Sequence, residues 1–347
     1  MRTHLRLPIP AAAISLGLLV GLAGCGGPGE EPISGRFVPV AAGAPLRHLL
    51  LEGSPTAMGR AQGRLLKDEV RVAASRPLPE SLRPSLEQYA RSMRPLAPAA
   101  LLEELDAMAK EAGVLSTDLF LREAAREGLR WHEAEGEARS AAFASAPGPS
   151  SDVVVAFDGA DLEAKDWIVI ERHPRDGAAT LSLVRPGEIG AIGGVTMTGS
   201  VIVGGEIGLL AERRTLRGPP FAWSLRAALE SEGSLEHAMG RLASLCGHRV
   251  LGADAANRRF LTILTLAADP PKAFDGNTWV LAAAGPDDGP TARAQEDRLA
   301  SYPARSVAAD AGDLAVAGRT RDAVGPVARW TRAGLRFGTF DYVWSPD

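Results

Sequence analysis

The chain has 347 residues, 46% of them hydrophobic and 23% charged, a globular composition long enough to bury a sizeable core. A formal charge of −4, with no basic stripe interleaved with aromatics, excludes nucleic acid as an expected partner.

The first 24 residues read as a targeting signal rather than as part of the fold. Arg2, His4 and Arg6 make a basic start, and Ala11 to Gly24 is apolar and small. That stretch is shorter than the roughly 20 residues a membrane-spanning helix needs. Leu22-Ala23-Gly24-Cys25, followed by Gly26-Gly27, reads as a bacterial lipobox, with an ordinary secretory signal as the alternative. On the lipobox reading Cys25 is the lipidated first residue of the mature chain. Its acyl chains hold the protein at a membrane surface without spanning it. The expected location is the bacterial cell envelope, at the outer membrane or cell surface. Residues 25–45, rich in Gly, Pro and Glu, are expected to be a flexible tether, and 46–347 a single domain. With Cys25 lipidated, Cys246 has no intramolecular disulfide partner and is expected as a small buried hydrophobe in Leu245-Cys246-Gly247.

Next comes Gly53-Ser54-Pro55-Thr56-Ala57-Met58-Gly59-Arg60-Ala61-Gln62-Gly63-Arg64-Leu65-Leu66. Ser54 can cap a helix, and Pro55 suits the first helical position, where its missing N–H costs nothing. Met58, Leu65, Leu66 and Val70 recur at near-helical spacing. Two glycines inside a helix cost roughly 1 kcal/mol each against alanine. Gly59 and Gly63, four apart, therefore imply close approach of another backbone. A second helix is expected over roughly 98–112, with Leu101, Leu105, Met108 and Ala112 on one face. A third runs from Ser116-Thr117-Asp118 to about Trp131. Residues 132–151 are polar and small and read in part as an exposed loop.

After that loop the texture becomes strand-like: 153–157, 167–172, 179–184, 191–197 and 200–204, with His173-Pro174 as a turn. Two helices are expected at 221–230 and 234–243, then strands at 249–253, 260–265 and 279–283. Helices followed by consecutive strands with an inserted helix pair is an α+β pattern with antiparallel sheets. Gly187-x-x-Gly190-x-x-Gly193-Gly194 is not a dinucleotide loop, because a strand rather than a helix is expected to follow it. His132-Glu133 lacks a second histidine four residues on and is no zinc helix. Neither cofactor nor metal is expected. Residues beyond about 300 carry no readable pattern.

The Ser54 run resembles the acyl-coenzyme A:6-aminopenicillanic acid acyltransferase family (peptidase family C45) of N-terminal-nucleophile enzymes. The likeness extends over about residues 46–300. Asp158-Gly159, then Leu162 and Lys165-Asp166-Trp167, resembles the family's Asp-Gly turn and Arg-Asn-x-Asp-aromatic segment, with Ala164 where asparagine stands. Pro186-Gly187-Glu188-Ile189-Gly190 resembles its Pro-Gly-x-x-Gly turn. Gly194-Val195-Thr196-Met197-Thr198-Gly199 resembles Gly-Met-Asn-x-x-Gly, with Thr196 in place of asparagine. Ala282-Ala283-Ala284-Gly285 stands where Thr-Asn-His is expected.

The resemblance implies an αββα sandwich, two stacked antiparallel sheets between helical layers, preceded by a helical segment. It implies self-cleavage in a processing loop at 132–151 and acyl transfer or hydrolysis on a small acylated amine or amide. The family's nucleophile is a cysteine. Aligning Arg139-Ser140-Ala141-Ala142-Phe143 on its aromatic puts Ser140 in that place. The implied catalytic set is Ser140, Asp166 and Thr196. Asparagine amides are natural oxyanion donors, and losing one such donor typically costs about 10²–10³ in turnover. An inactive member serving as an envelope binding or scaffolding lipoprotein is therefore the alternative.

Overall fold

A computed structural model describes residues 32–39, 47–131, 141–145, 153–159, 167–196, 200–206, 218–231, 233–242, 248–254, 259–264, 272–274, 278–281, 314–320, 324–331 and 334–335. The fold is mixed α and β. In chain order it runs β1 (Ser34–Val38), β2 (Arg47–Gly53), α1 (Pro55–Leu65), α2 (Lys67–Ser75), α3 (Arg83–Met93), α4 (Ala99–Ala112) and α5 (Ser116–Trp131). It continues through β3 (Ala141–Ser145), β4 (Val153–Gly159), β5 (Ile168–Pro174), β6 (Thr180–Val184), β7 (Gly193–Thr196) and β8 (Ser200–Glu206). Then come α6 (Phe221–Leu229), α7 (Leu235–Leu242), β9 (His248–Asp254), β10 (Arg259–Leu264), β11 (Lys272–Phe274) and β12 (Thr278–Leu281). The last strands are β13 (Leu314–Thr320), β14 (Val324–Thr331) and β15 (Gly334–Leu335).

One sheet has the order β1-β2-β5-β6-β7-β8-β9-β10-β11, the other β12-β3-β4-β13-β14-β15. Most neighbours are antiparallel, but β2 runs parallel to β5 and β4 parallel to β13. The expectation of antiparallel sheets is thus corrected to mixed ones. The physical reason is that alternation along a strand reports which face is buried but not which strand lies alongside. The β2–β5 pairing is separated by all five N-terminal helices, the long crossover that a parallel pair requires. Two further differences follow: β1 falls within the stretch expected as tether, and His173 and Pro174 end strand β5 rather than form a turn. Strand β3 takes up part of 132–151, of which only part was expected as an exposed loop.

Helix α1 starts as its residues dictate. The Ser54 hydroxyl accepts from the Ala57 N–H at 3.2 Å, and Pro55 takes the first position. The two glycines then fix its partner. A Cβ on Gly59 would lie 2.1 Å from the Glu104 carbonyl oxygen, and one on Gly63 would lie 2.4 Å from that of Met108. Helices α1 and α4 therefore pack backbone to backbone, as the glycine spacing implied. Leu66 interrupts the run, and α2 resumes at Lys67.

One face of the larger sheet packs on this helical layer. Leu49, Leu51, Ile168 and Ile170 share a core with Met58, Leu105, Met108, Phe120 and Trp223. Further along the same face, Ile202 and Val250 pack with Leu225, Leu229, Leu235 and Met239 of α6 and α7. Alternate residues point the other way. Leu50, Val169, Leu181, Leu183 and Val195 on that opposite face are buried too, so both faces of the sheet are covered.

Candidate functional site

Helix α5 places two carboxylates, one turn apart, into the layer between helices and sheet. Glu123 accepts from the Ile189 N–H at 2.9 Å, the Gly190 N–H at 3.0 Å and the Trp223 indole N–H at 2.7 Å. It thereby holds the Pro186–Gly190 turn, where Gly187 has φ 81°, the positive angle that favours glycine at the third position of a Pro-Gly turn. Glu127 accepts from the Tyr89 hydroxyl at 3.1 Å and from the Phe221 N–H. That bond caps α6, whose preceding residue Pro220 offers no side-chain cap. Glu188, on the same turn, pairs with Arg126 and, at 3.1 Å, with Arg76.

These two neighbouring carboxyls are driven apart. Burial, then the adjacent Glu188 charge, pushes Glu123 up to about 7, against its three hydrogen bonds. Burial also works to raise Glu188, but the Arg126, Arg185 and Arg76 guanidiniums outweigh it and hold Glu188 below the usual carboxylate range.

Beside the turn lies a cluster of four charges, three of them buried and the fourth, Glu230, at its edge. Arg226 meets Glu104 through two parallel bonds, one of 3.0 Å, and reaches Glu230 at 2.7 Å and the Ile189 carbonyl at 3.1 Å. Arg172 donates to the Ser182 hydroxyl at 2.7 Å and lies 3.7 Å from Glu104. Burial and the neighbouring Arg226 lower Arg172 to about 10, while Glu104 and Glu230 more than reverse the effect of burial on Arg226. Two positive and two negative groups balance here, which is what lets them sit out of water. On the opposite face of the sheet, Glu171 bridges His48 at 3.0 Å and His173 at 2.7 Å.

Among the described residues the pocket that touches the expected catalytic set lies at the far end of α6. It is a cavity of about 290 Å³ between the β7–β8 ends and the α6–α7 connection. Thr196, Ser200, Ser231 and Ser234 are among the residues that line it. The Thr196 Oγ1 accepts from the Ser200 N–H at 3.1 Å and the Ser234 Oγ from the His237 N–H at 3.3 Å, while the Ser231 Oγ donates to the Ala228 carbonyl at 2.7 Å. Thr196 shares its sheet face with Gly194, where a Cβ would meet Leu229 of α6, so the pocket is on the helix-facing side. Ser140, Asp166 and Cys25 lie outside the described residues, as do Ala164, Cys246 and Ala284.

Glu123, Glu127, Glu104 and Arg226 were not singled out from the sequence. Glu123 and Glu127 are four apart in a helix whose other inward positions are apolar, and that intrusion is the available signal. Among the described residues no three His, Cys, Asp or Glu are arranged to hold a metal ion, and no helix is long and apolar enough to cross a membrane. No family model matches the chain, and no curated protein matches it.

Proposed function

We propose that the chain is an envelope lipoprotein of the N-terminal-nucleophile type, built as an αββα sandwich. It is cut before Ser140, anchored through Cys25, and transfers or hydrolyses acyl groups on small amides. The observation that carries this reading is the position of β3. The strand begins at Ala141, directly after Ser140, and is flanked by β12 and β4. A chain cut at that point would start on an interior strand, where backbone pairing on both sides holds the new terminus. The sandwich is supported by the burial of both faces of the larger sheet and by the close approach of β3 to β8 and β9.

In the proposed chemistry the Ser140 Oγ attacks the Arg139 carbonyl carbon. The C–N bond to Ser140 breaks as the acyl group moves to oxygen, and the nitrogen takes up the hydroxyl proton. Water then hydrolyses the ester, leaving a carboxylate on Arg139 and a free α-amino group on Ser140. With a pKa of about 8, that amine serves as general base for its own hydroxyl in turnover. Asp166 is assigned to holding the site and Thr196 to donating from its hydroxyl. The replacement of amides by Ala164 and Ala284 favours a second reading, a non-catalytic lipoprotein that keeps the fold and binds a partner.

Intact mass of the full chain, extracted from membranes in detergent, separates the two. Two fragments meeting at Arg139/Ser140, absent from Ser140→Ala, are expected. A single chain in both proteins would sink the processing mechanism and leave the binding role. A lipid-sized mass increment lost in Cys25→Ala tests the anchor in the same spectra.

A further inference from the structure

We propose that the outer edge of the larger sheet, strand β1 with Arg36, Phe37 and the neighbouring Arg47, docks on the surface of an anionic phospholipid bilayer. The proposal rests on the Cys25 anchor proposed above and adds which face of the domain meets the lipid.

Chain length comes first. Among the described residues the larger sheet ends at β1, whose strand neighbour is β2. The chain enters the fold there, and the entry is pinned. Ile33 packs against the core, and the Ser34 hydroxyl donates to Glu52 at 3.2 Å. Gly35 lies so close to α1 that a Cβ on it would meet that of Ala61 at 2.7 Å. Ile33 is eight residues beyond Cys25, so at most about 29 Å of extended chain separates it from a lipidated Cys25. Strand β9, with α7 packed on it, is six strand positions from β1, roughly 29 Å across the sheet. A lipid anchor therefore favours β1 as the near edge and leaves the α7 side as the far one.

The side chains on that edge suit a lipid surface. Phe37, 40% exposed, is the one aromatic among the large apolar side chains that stand exposed in the described residues. The Arg47 guanidinium lies 5.9 Å from its ring centre, and Arg36, next in the chain, is exposed on the opposite side of the strand. An apolar ring flanked by guanidiniums is the combination that interfacial segments use. The ring enters the boundary between headgroups and acyl chains, and the cations pair with lipid phosphates. Arg47 also pairs with Glu69 of α2 at 2.5 Å. With five donors, its guanidinium can hold that carboxylate and a phosphate together.

The test uses the full chain extracted from membranes and reconstituted in vesicles of phosphatidylcholine and phosphatidylglycerol. Cys246→Ala leaves an introduced cysteine as the one free thiol beside a lipidated Cys25. Bimane is placed on Pro39→Cys, directly after β1, or on Arg241→Cys of α7, both exposed positions. A lipid carrying a nitroxide just below its headgroup should quench the first several times more than the second. Arg36→Ser with Phe37→Ser, both at exposed positions, should cut quenching at Pro39→Cys by about fivefold or more, the weight of roughly one arginine at such a surface. Vesicles of phosphatidylcholine alone should weaken it likewise. Quenching that survives the double substitution would show that the anchor alone holds β1 near the lipid and would overturn docking. Equal quenching at the two positions would overturn it too. Intact mass of the same sample reads the anchor separately. A chain without lipid that fails to float with the vesicles removes the anchor and the docked face together, whereas a lipidated chain quenched equally at both positions loses the docked face alone.

Discussion

Glu123 on α5 and Glu188 on the turn it holds are neighbours, yet their pKa values shift in opposite directions. Glu123, at about 7 when folded, keeps its proton in a range where the unfolded chain, near 4.5, has released it. The folded state binds more protons between those values, so stability falls as pH rises through that window. Glu188 is depressed, so its contribution is present above the ordinary carboxylate range and is lost as pH falls through its folded value. Glu123→Gln removes the first effect only. Urea unfolding at pH 5 and pH 8 should show the variant gaining on the wild type by on the order of 2–3 kcal/mol between the two. Identical pH slopes would mean that Glu123 does not titrate in the window. The four-charge cluster gives a second prediction at this scale. Glu104→Gln leaves Arg226 and Arg172 facing each other with one carboxylate between them. Breaking a buried pair in this way costs about 3–5 kcal/mol, read as a lower urea midpoint with unchanged slope.

Helix pairs are the next scale, and α1 against α4 is the clearest. Glycine spacing alone implied backbone contact, because two costly glycines need a compensating approach. Which helix makes that approach was decided by the fold. Gly59→Ala would drive a methyl group into the Glu104 carbonyl, an obstacle of backbone that no rotamer change relieves. A loss of at least about 1–3 kcal/mol is expected in thermal or urea unfolding. Gly113→Ala, at φ 76° with only the end of the Arg71 side chain nearby, is the control for backbone strain without collision. Equal effects in the two would refute the close-packing explanation. Other elements were readable to a lesser degree. Helices α4, α5, α6 and α7 appeared where period 3.6 and end signals placed them. Helix α3 was missed, because Arg83-Pro84 and a charged face hide its four buried positions, Leu86, Tyr89, Ala90 and Met93. Strand β2 was missed because three leucines in a row carry no alternation.

At the scale of the whole molecule, the sequence by itself determined what local chemistry determines. Ser54 and Pro55 begin a helix, Pro186-Gly187 makes a tight turn, and period-2 runs become strands, because each follows from sterics and hydrogen bonding within a few residues. The mixed α and β character followed from the order of those elements. Only the tertiary structure decided which strands are neighbours, since β2–β5 and β4–β13 join segments far apart in the chain. It also decided the roles of the buried charges. Glu104, Glu123, Glu127, Arg172 and Arg226 look like ordinary surface residues in the sequence. Their pairing depends on α4, α5, α6 and β5 converging on one turn, and burial then makes each partner indispensable to the other. The pocket beside Thr196 belongs to the same category. Alanines and serines from separate segments line one pocket only once α6 and α7 lie across the ends of β7 and β8.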